Sequence, residues 1–311
     1  MTNDDDAKNE KKWNIVDQDP SVGAEHHDII ICVATIHCCK STIRPLSTLV
    51  SFLLMSNESM NLRALGFCGA DDSVHPRMLV LIAHAYPVVE FGVLFRPDKE
   101  GQPRYATTNW VKELAAIKPA PMKLAAHLCG DRVNEVLSGD GTFLEQVASW
   151  GFQRVQINAT AVNGVDTSKM ADQVPLVAQV ISKFPQLEFI LQKNEETKPL
   201  WEGLLNMGLP KNVSMLVDES KGTGVSASHW PAPSPDYDIG YAGGIGTKNV
   251  EKVLTDIDEV AKGRSIWIDM ESSLRSIKND EDVFDLDMCF LVIQTICKMG
   301  FCPQANFEGW S

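Results

Sequence analysis

A chain of 311 residues, 44% hydrophobic and 22% charged, has the composition of an ordinary soluble globular protein and can build one large domain or two small ones. Its net charge of −13 argues against non-specific binding to nucleic acid or to an anionic membrane, while leaving room for a local basic pocket around a phosphate. The eight cysteines form no CxxC pair, and Cys38 and Cys39 are adjacent. Neither a zinc framework nor a redox motif is visible, and with no secretory leader in view reduced thiols in the cytoplasm are expected.

Residues 1–60 read as an N-terminal extension, largely disordered or loosely helical, whose first 28 residues are acidic and polar. Residues 29–54 are apolar enough to raise the question of a membrane span. His37, Lys40, Arg44 and Pro45 fall inside that run, and charges at mid-bilayer are costly, so no membrane partner is expected. Met55 and Met60 are plausible alternative starts, and the Asp- and Glu-rich N-terminus speaks against a mitochondrial address.

From residue 61 a β/α rhythm sets in. Apolar runs of β type occupy 64–68, 89–95, 122–128, 153–158, 187–192, 213–218, 237–242 and 265–270. Their short, continuous apolar character is that of parallel strands buried on both faces. Between them lie amphipathic stretches with boundary signals, such as Thr107 and Thr108 before Trp110, and Gly139, Gly263 and Gly300 behind their helices. The connection after the sixth run holds three prolines and two glycines and reads as a long loop. Eight such units predict an α/β protein, a (β/α)8 TIM barrel over residues 61–302 with a C-terminal tail at 303–311; a doubly wound open sheet is the alternative.

In such barrels chemistry sits at the C-terminal strand ends. Those ends are Cys68, Arg96, His127, Asn158, Gln192, Asp218, Gly243 and Asp269. One combination is the segment carrying Gly243, Gly244 and Gly246 ahead of a helix, joined by Ser272 and Ser273 after the eighth strand. Backbone N–H groups freed by glycine, with a helix N-terminus, suit a phosphate, and Arg275 is placed to add charge. Gly222, Thr223 and Gly224 after the sixth strand suit close backbone approach in the same way. The second combination is Cys68 and Asp218, a thiol to remove a carbon-bound proton and a carboxylic acid to protonate an oxygen. Taken alone, Cys68 reads as a small core residue before it reads as a base, since free cysteine is often buried. Asp71 and Asp72 beside it are expected to raise its pKa.

Together these segments resemble the phosphoribosylanthranilate isomerase family. "GFCG" is similar to its first-strand motif, "GVLFRPDKEGQPRY" to the second strand and loop, and "MLVDESKGTGVSASHW" to the sixth strand. "YAGGIGTKNV" is similar to its phosphate loop, and "IDMESSLRS" to the segment after strand 8. The resemblance implies Cys68 as general base, Asp218 as general acid and Arg104 on the anthranilate carboxylate. It also implies substrate contacts from His127, Gln156, Gly222, Thr223 and Gly224, and phosphate binding by Gly243, Gly244, Gly246, Ser272 and Ser273. An Amadori rearrangement of N-(5-phosphoribosyl)anthranilate then follows, needing neither metal nor organic cofactor, in a cytoplasmic monomer or homodimer whose only partner is a small phosphorylated sugar. The sequence departs from the family at "QINATA", which keeps Gln156 but lacks the family's His-Gly, and at Leu274, where the family has Gly. Two alternatives stay open. One is another phosphosugar isomerase, epimerase or lyase using His127, Gln192, Lys193, Asp218 and Glu271, with or without a divalent metal. The other is a non-catalytic sugar-phosphate-binding barrel.

Overall fold

A computed structural model describes residues 59–117, 122–218 and 229–302. The expectations for the extension, for Gly222–Gly224 and for the C-terminal tail lie outside the described residues. Eight strands alternate with helices in chain order: β1 (Asn61–Cys68), α1 (Pro76–Ala85), β2 (Val89–Phe95), α2 (Thr108–Ala116), β3 (Lys123–Leu128), α3 (Asp131–Leu137), α4 (Thr142–Ser149) and β4 (Arg154–Ile157). There follow α5 (Met170–Lys183), β5 (Glu188–Lys193), α6 (Lys198–Asn206), β6 (Val213–Val217), β7 (Ile239–Tyr241), α7 (Val250–Ala261) and β8 (Ser265–Met270). The last described elements are the hairpin β9 (Arg275–Lys278)–β10 (Glu281–Phe284) and helix α8 (Leu286–Lys298). All eight barrel strands run parallel, and β8 pairs with β1, so the sheet closes.

The strands are apolar on both sides because the barrel buries both. Outward residues such as Leu65, Phe67, Phe91, Val93 and Phe189 pack under the helices in one large core. Inside the barrel a second, small cluster forms from Ala64, Ile190, Leu216, Ala242 and Trp267. Trp267 fits only because the neighbouring strand offers Gly240, where a Cβ would overlap its indole ring. Below this layer, towards the N-terminal strand ends, Arg154 pairs with Glu90 at 2.7 Å and with Glu188 at 3.2 Å.

Helix boundaries follow the sequence signals. The Thr107 hydroxyl accepts from the Trp110 N–H at 3.2 Å, and Gly139 follows α3 with φ 89°. Two features differ from the expectation. The β9–β10 hairpin turns through Asn279 and Asp280, both at positive φ, the Asn/Asp chemistry of a two-residue hairpin turn; its short polar strands carry no apolar run to announce them. The expectation of reduced thiols also fails at one pair. Gly300, at φ 83°, reverses the chain beyond α8 and brings Cys302 back onto Cys297, where the two form a disulfide. Cys68, Cys129 and Cys289 are free and buried. Among the described residues no helix is long and apolar enough to cross a membrane.

Candidate active site

Seven of the predicted strand ends, Arg96, His127, Asn158, Gln192, Asp218, Gly243 and Asp269, line one cavity of about 540 Å³ at the C-terminal mouth of the barrel. That volume lies in the usual range of small-molecule sites. Lys99, Arg104, Tyr105, Gln156, Asn163, Gly244, Glu271, Ser272 and Ser273 complete the parts that carry charge or hydrogen bonds. Cys68 is the exception: it is 1% exposed and packs with Leu94 and Cys129 just behind the wall.

What joins Cys68 to the cavity is His127. Its Nδ1 lies 3.1 Å from the Cys68 sulfur, although β1 and β3 are separated by β2. The contact passes over Gly92, which stands opposite Cys68 in register. A Cβ at Gly92 would lie 2.9 Å from His127 Nε2 and 3.1 Å from the Cys68 backbone, so a side chain there would force the two apart. Burial, reinforced by the charge of Arg154, pushes the His127 pKa down to about 3, so the imidazole is neutral at physiological pH. Burial likewise pushes the Cys68 thiol well up, with Asp269 and Glu271 adding to the effect. We assign the thiol as donor and Nδ1 as acceptor, which leaves the imidazole proton on Nε2.

The expectation for Asp71 and Asp72 is corrected. Asp71 accepts from Arg275 at 2.9 Å and from the Arg104 backbone N–H at 2.6 Å. Asp72 is held by the Thr107 backbone N–H and hydroxyl, at 2.7 and 2.6 Å. Their charge is spent on loop structure, and the acids that act on Cys68 are Asp269 and Glu271 from β8 and its loop. Arg275 is corrected with them. Its side chain is 3% exposed and committed to Asp71, Asp282 and the Gly69 carbonyl, so it is not free to add charge beside Gly243 and Ser273.

Asp218 lines the cavity and accepts from Gln192 Nε2 at 3.3 Å. Arg104 reaches Glu271 at 3.0 Å and Ser272 Oγ at 3.1 Å, which places a cation at the rim. Gln156 Nε2 donates to Asn158 Oδ1 at 2.7 Å. In the loop after β7, Gly243 and Gly244 have φ of 108° and 63°, a left-handed course that turns their backbone into the cavity. Gly246 stands outside the lining. Its N–H is taken by Asn249 Oδ1 at 2.8 Å, and a Cβ there would overlap Ser273, whose hydroxyl donates to the Ile245 carbonyl at 2.6 Å. Its role is to let the seventh and eighth loops touch. Gly246→Ala is accordingly expected to cost about 1–3 kcal/mol in urea unfolding and to weaken phosphate-ester binding in a titration.

The carboxyl that sequence reasoning left without a role is Asp269. Burial, with Glu90 and Glu271 nearby, pushes its pKa well up, which favours the protonated acid. Gly66 stands opposite it in register, and a Cβ there would overlap its Oδ1. A glycine inside β1 facing an acid at the end of β8 was the available signal, but it needs the strand register to be read.

A closed (β/α)8 barrel with a polar, anion-compatible cavity at the C-terminal ends of its strands is the class of protein that fold and site define. No family model matches the chain, and no curated protein matches it in sequence. Among solved structures it is similar to phosphoribosyl anthranilate isomerase from Thermus thermophilus, at 15% identity over 76% of this chain and 99% of that chain, with a TM-score of 0.45. It is similar to N-(5'-phosphoribosyl)anthranilate isomerase from Pyrococcus furiosus, at 14% identity over 76% and 98% of the two chains, TM-score 0.43. It is also similar to KGPDC from Streptococcus mutans, at 12% identity over 76% and 99%, TM-score 0.42. Neither the fold nor an activity rests on these likenesses; the closed strand order carries the first and the cavity must carry the second.

Proposed function

We propose that the chain is an enzyme acting on a phosphorylated sugar: an intramolecular oxidoreductase that carries out the Amadori rearrangement of N-(5-phosphoribosyl)anthranilate. One observation supports this reading above the others. A single cavity joins an anion cradle at Gly243, Gly244, Ser272 and Ser273 to a rim cation at Arg104, an acid at Asp218 and a thiol–imidazole pair at its wall. Phosphate, carboxylate and ring of one such substrate each find a chemically matched group there.

In the proposed reaction Asp218 delivers a proton to the furanose ring oxygen as its bond to C1 breaks, and the anthranilate nitrogen supplies the electrons for a cationic Schiff base. The C2 proton then passes to the Cys68 sulfur, while the thiol's own proton moves to His127 Nδ1. The C2–H electrons neutralise the Schiff base and leave an enolamine, which tautomerises to the ketone. Substrate and product are isomers, and both side chains are reset by proton exchange with water. The carboxylate must draw Arg104 away from Glu271, so a substrate lacking that carboxylate is expected to bind more weakly.

The test is direct. Purified full-length protein is expected to consume the substrate with a falling anthranilate fluorescence signal. Saturable binding of the phosphosugar with unchanged fluorescence would sink the enzymatic reading in favour of a binding barrel.

A further inference from the structure

We propose that Cys68, His127 and Asp269 form a binding site for a single borderline divalent ion of the Zn²⁺ or Co²⁺ type, reached through the cavity. One ligand atom from each of the three lies within 4.8 Å of the other two. The Cys68 sulfur and His127 Nδ1 are already 3.1 Å apart. Ligands of one tetrahedral ion at ordinary Zn–S and Zn–N lengths are separated by about 3.6 Å, so side-chain rotations displacing the donors by roughly 1 Å or less complete the set. A thiolate, an imidazole and a carboxylate suit Zn²⁺ or Co²⁺, and the sulfur and nitrogen donors are wrong for Mg²⁺ or Ca²⁺.

The space is kept open by the backbone. Gly66 clears Asp269 and Gly92 clears both His127 and Cys68; at each a Cβ would intrude on the ligand side chains. A strand-interior glycine costs stability, and while Gly240 makes room for Trp267, Gly66 and Gly92 both fall against these three residues. His127 and Asp269 line the cavity, which leaves the fourth coordination position facing it.

An independent observation points to a donor group in the same cavity. Gln156 Oε1 and Gln192 Oε1 belong to residues only 4% exposed, line the same cavity and receive no hydrogen bond among the described residues. Buried amide oxygens demand donors, and a metal-bound water in the fourth position is a strong one.

On binding, the Cys68 thiol and the Asp269 carboxyl give up their protons to solvent, and the sulfur and a carboxylate oxygen become ligands. The inference does not depend on the isomerase reading. If that reading holds, the ion occupies the base and Zn²⁺ inhibits turnover; if it fails, binding is unaffected.

The experiment is a Co²⁺ titration of reduced, chelator-stripped full-length protein, followed by absorption. Saturation at one equivalent is expected, with a thiolate-to-metal charge-transfer band and four-coordinate ligand-field bands, both displaced by Zn²⁺. Cys68→Ser is expected to abolish the charge-transfer band, and His127→Gln and Asp269→Asn each to weaken binding at least 10-fold. The doubly substituted Cys38→Ser, Cys39→Ser protein is expected to keep the band. Circular dichroism checks each variant's fold. Should Cys68→Ser not fold, Zn²⁺ protection of Cys68 from alkylation in the native protein, read by mass spectrometry, replaces it. No saturable band in the native protein, an undiminished band in folded Cys68→Ser, or unprotected Cys68 at saturating Zn²⁺ overturns the proposal.

Discussion

Replacing Cys68 by alanine is expected to lower kcat for the rearrangement by about 10²–10⁴-fold, the usual contribution of a general base, with KM little changed. In the proposed reaction the thiol acts on C2 and holds neither the phosphate nor the carboxylate, so its removal takes away no group that anchors the ground-state substrate. The direction of the pKa shifts says when this base works. Burial holds the thiol well above its ordinary range and the imidazole well below, because each charge alone is poorly solvated there. A thiolate–imidazolium pair is neutral as a whole, and a cationic Schiff base in the cavity would favour the thiolate further. In the proposed reaction the thiol is thus idle as a base until the ring opens. Three results check this. In the native protein Cys68 should alkylate slowly at neutral pH, and kcat should rise with pH on the alkaline side of the ordinary cysteine range. His127→Gln should lower kcat by a factor comparable to that of Cys68→Ala, with little further loss when the two are combined. Full activity in Cys68→Ala sinks the assignment.

How much of this was legible in the sequence depends on distance along the chain. The barrel was legible because each strand declares itself locally as a short apolar run, and each strand end as the first polar residue. Arg96, His127, Asn158, Gln192, Asp218, Gly243 and Asp269 all reach the cavity on that rule alone. What the chain does not declare is pairing. Cys68 and His127 are 59 positions apart, and they touch only because the strand between them carries a glycine at the matching level. The same limit misassigned Asp71 and Asp72. Their closeness to Cys68 in sequence suggested closeness in charge, whereas Arg275, more than 200 residues away, takes up Asp71. The β9–β10 hairpin escaped because its strands are polar and partly exposed, with Ile277 70% in solvent. Its consequence is functional all the same, since it fixes Arg275 as a clamp on the loop behind Cys68 rather than as a phosphate ligand.

The largest stability effect is expected at the floor of the barrel, from Arg154→Met. The Arg154 side chain is 8% exposed, is paired with the 6% exposed side chain of Glu90 and shares Glu188 with Arg63. Its guanidinium also lies 4.3 Å over the Trp267 ring, which Arg63 approaches at 4.6 Å. Removing one partner of such a pair leaves a buried carboxylate without compensation, and a loss of about 3–5 kcal/mol in urea unfolding is expected. Arg154→Met combined with Glu90→Leu should recover much of that loss, because the apolar pair leaves no orphaned charge; no recovery would mean that packing on Trp267, rather than the ion pair, is what Arg154 supplies. The pH dependence follows from Glu188. Burial pushes its pKa up, but Arg154 and Arg63 outweigh burial and hold it below the ordinary glutamate range. A carboxyl with a depressed folded pKa stabilises above its unfolded pKa of about 4.3 and loses that contribution as pH falls through the folded value. The gap between native protein and Arg154→Met should therefore be widest near neutrality and narrow below pH of about 4. The same substitution reaches the cavity wall, since the charge of Arg154 helps hold His127 down at about 3. In the variant the imidazole pKa should move up, read by NMR titration, and the acid limb of kcat should move up with it. That joint shift would tie the ion pair under Trp267 to the proton acceptor above it.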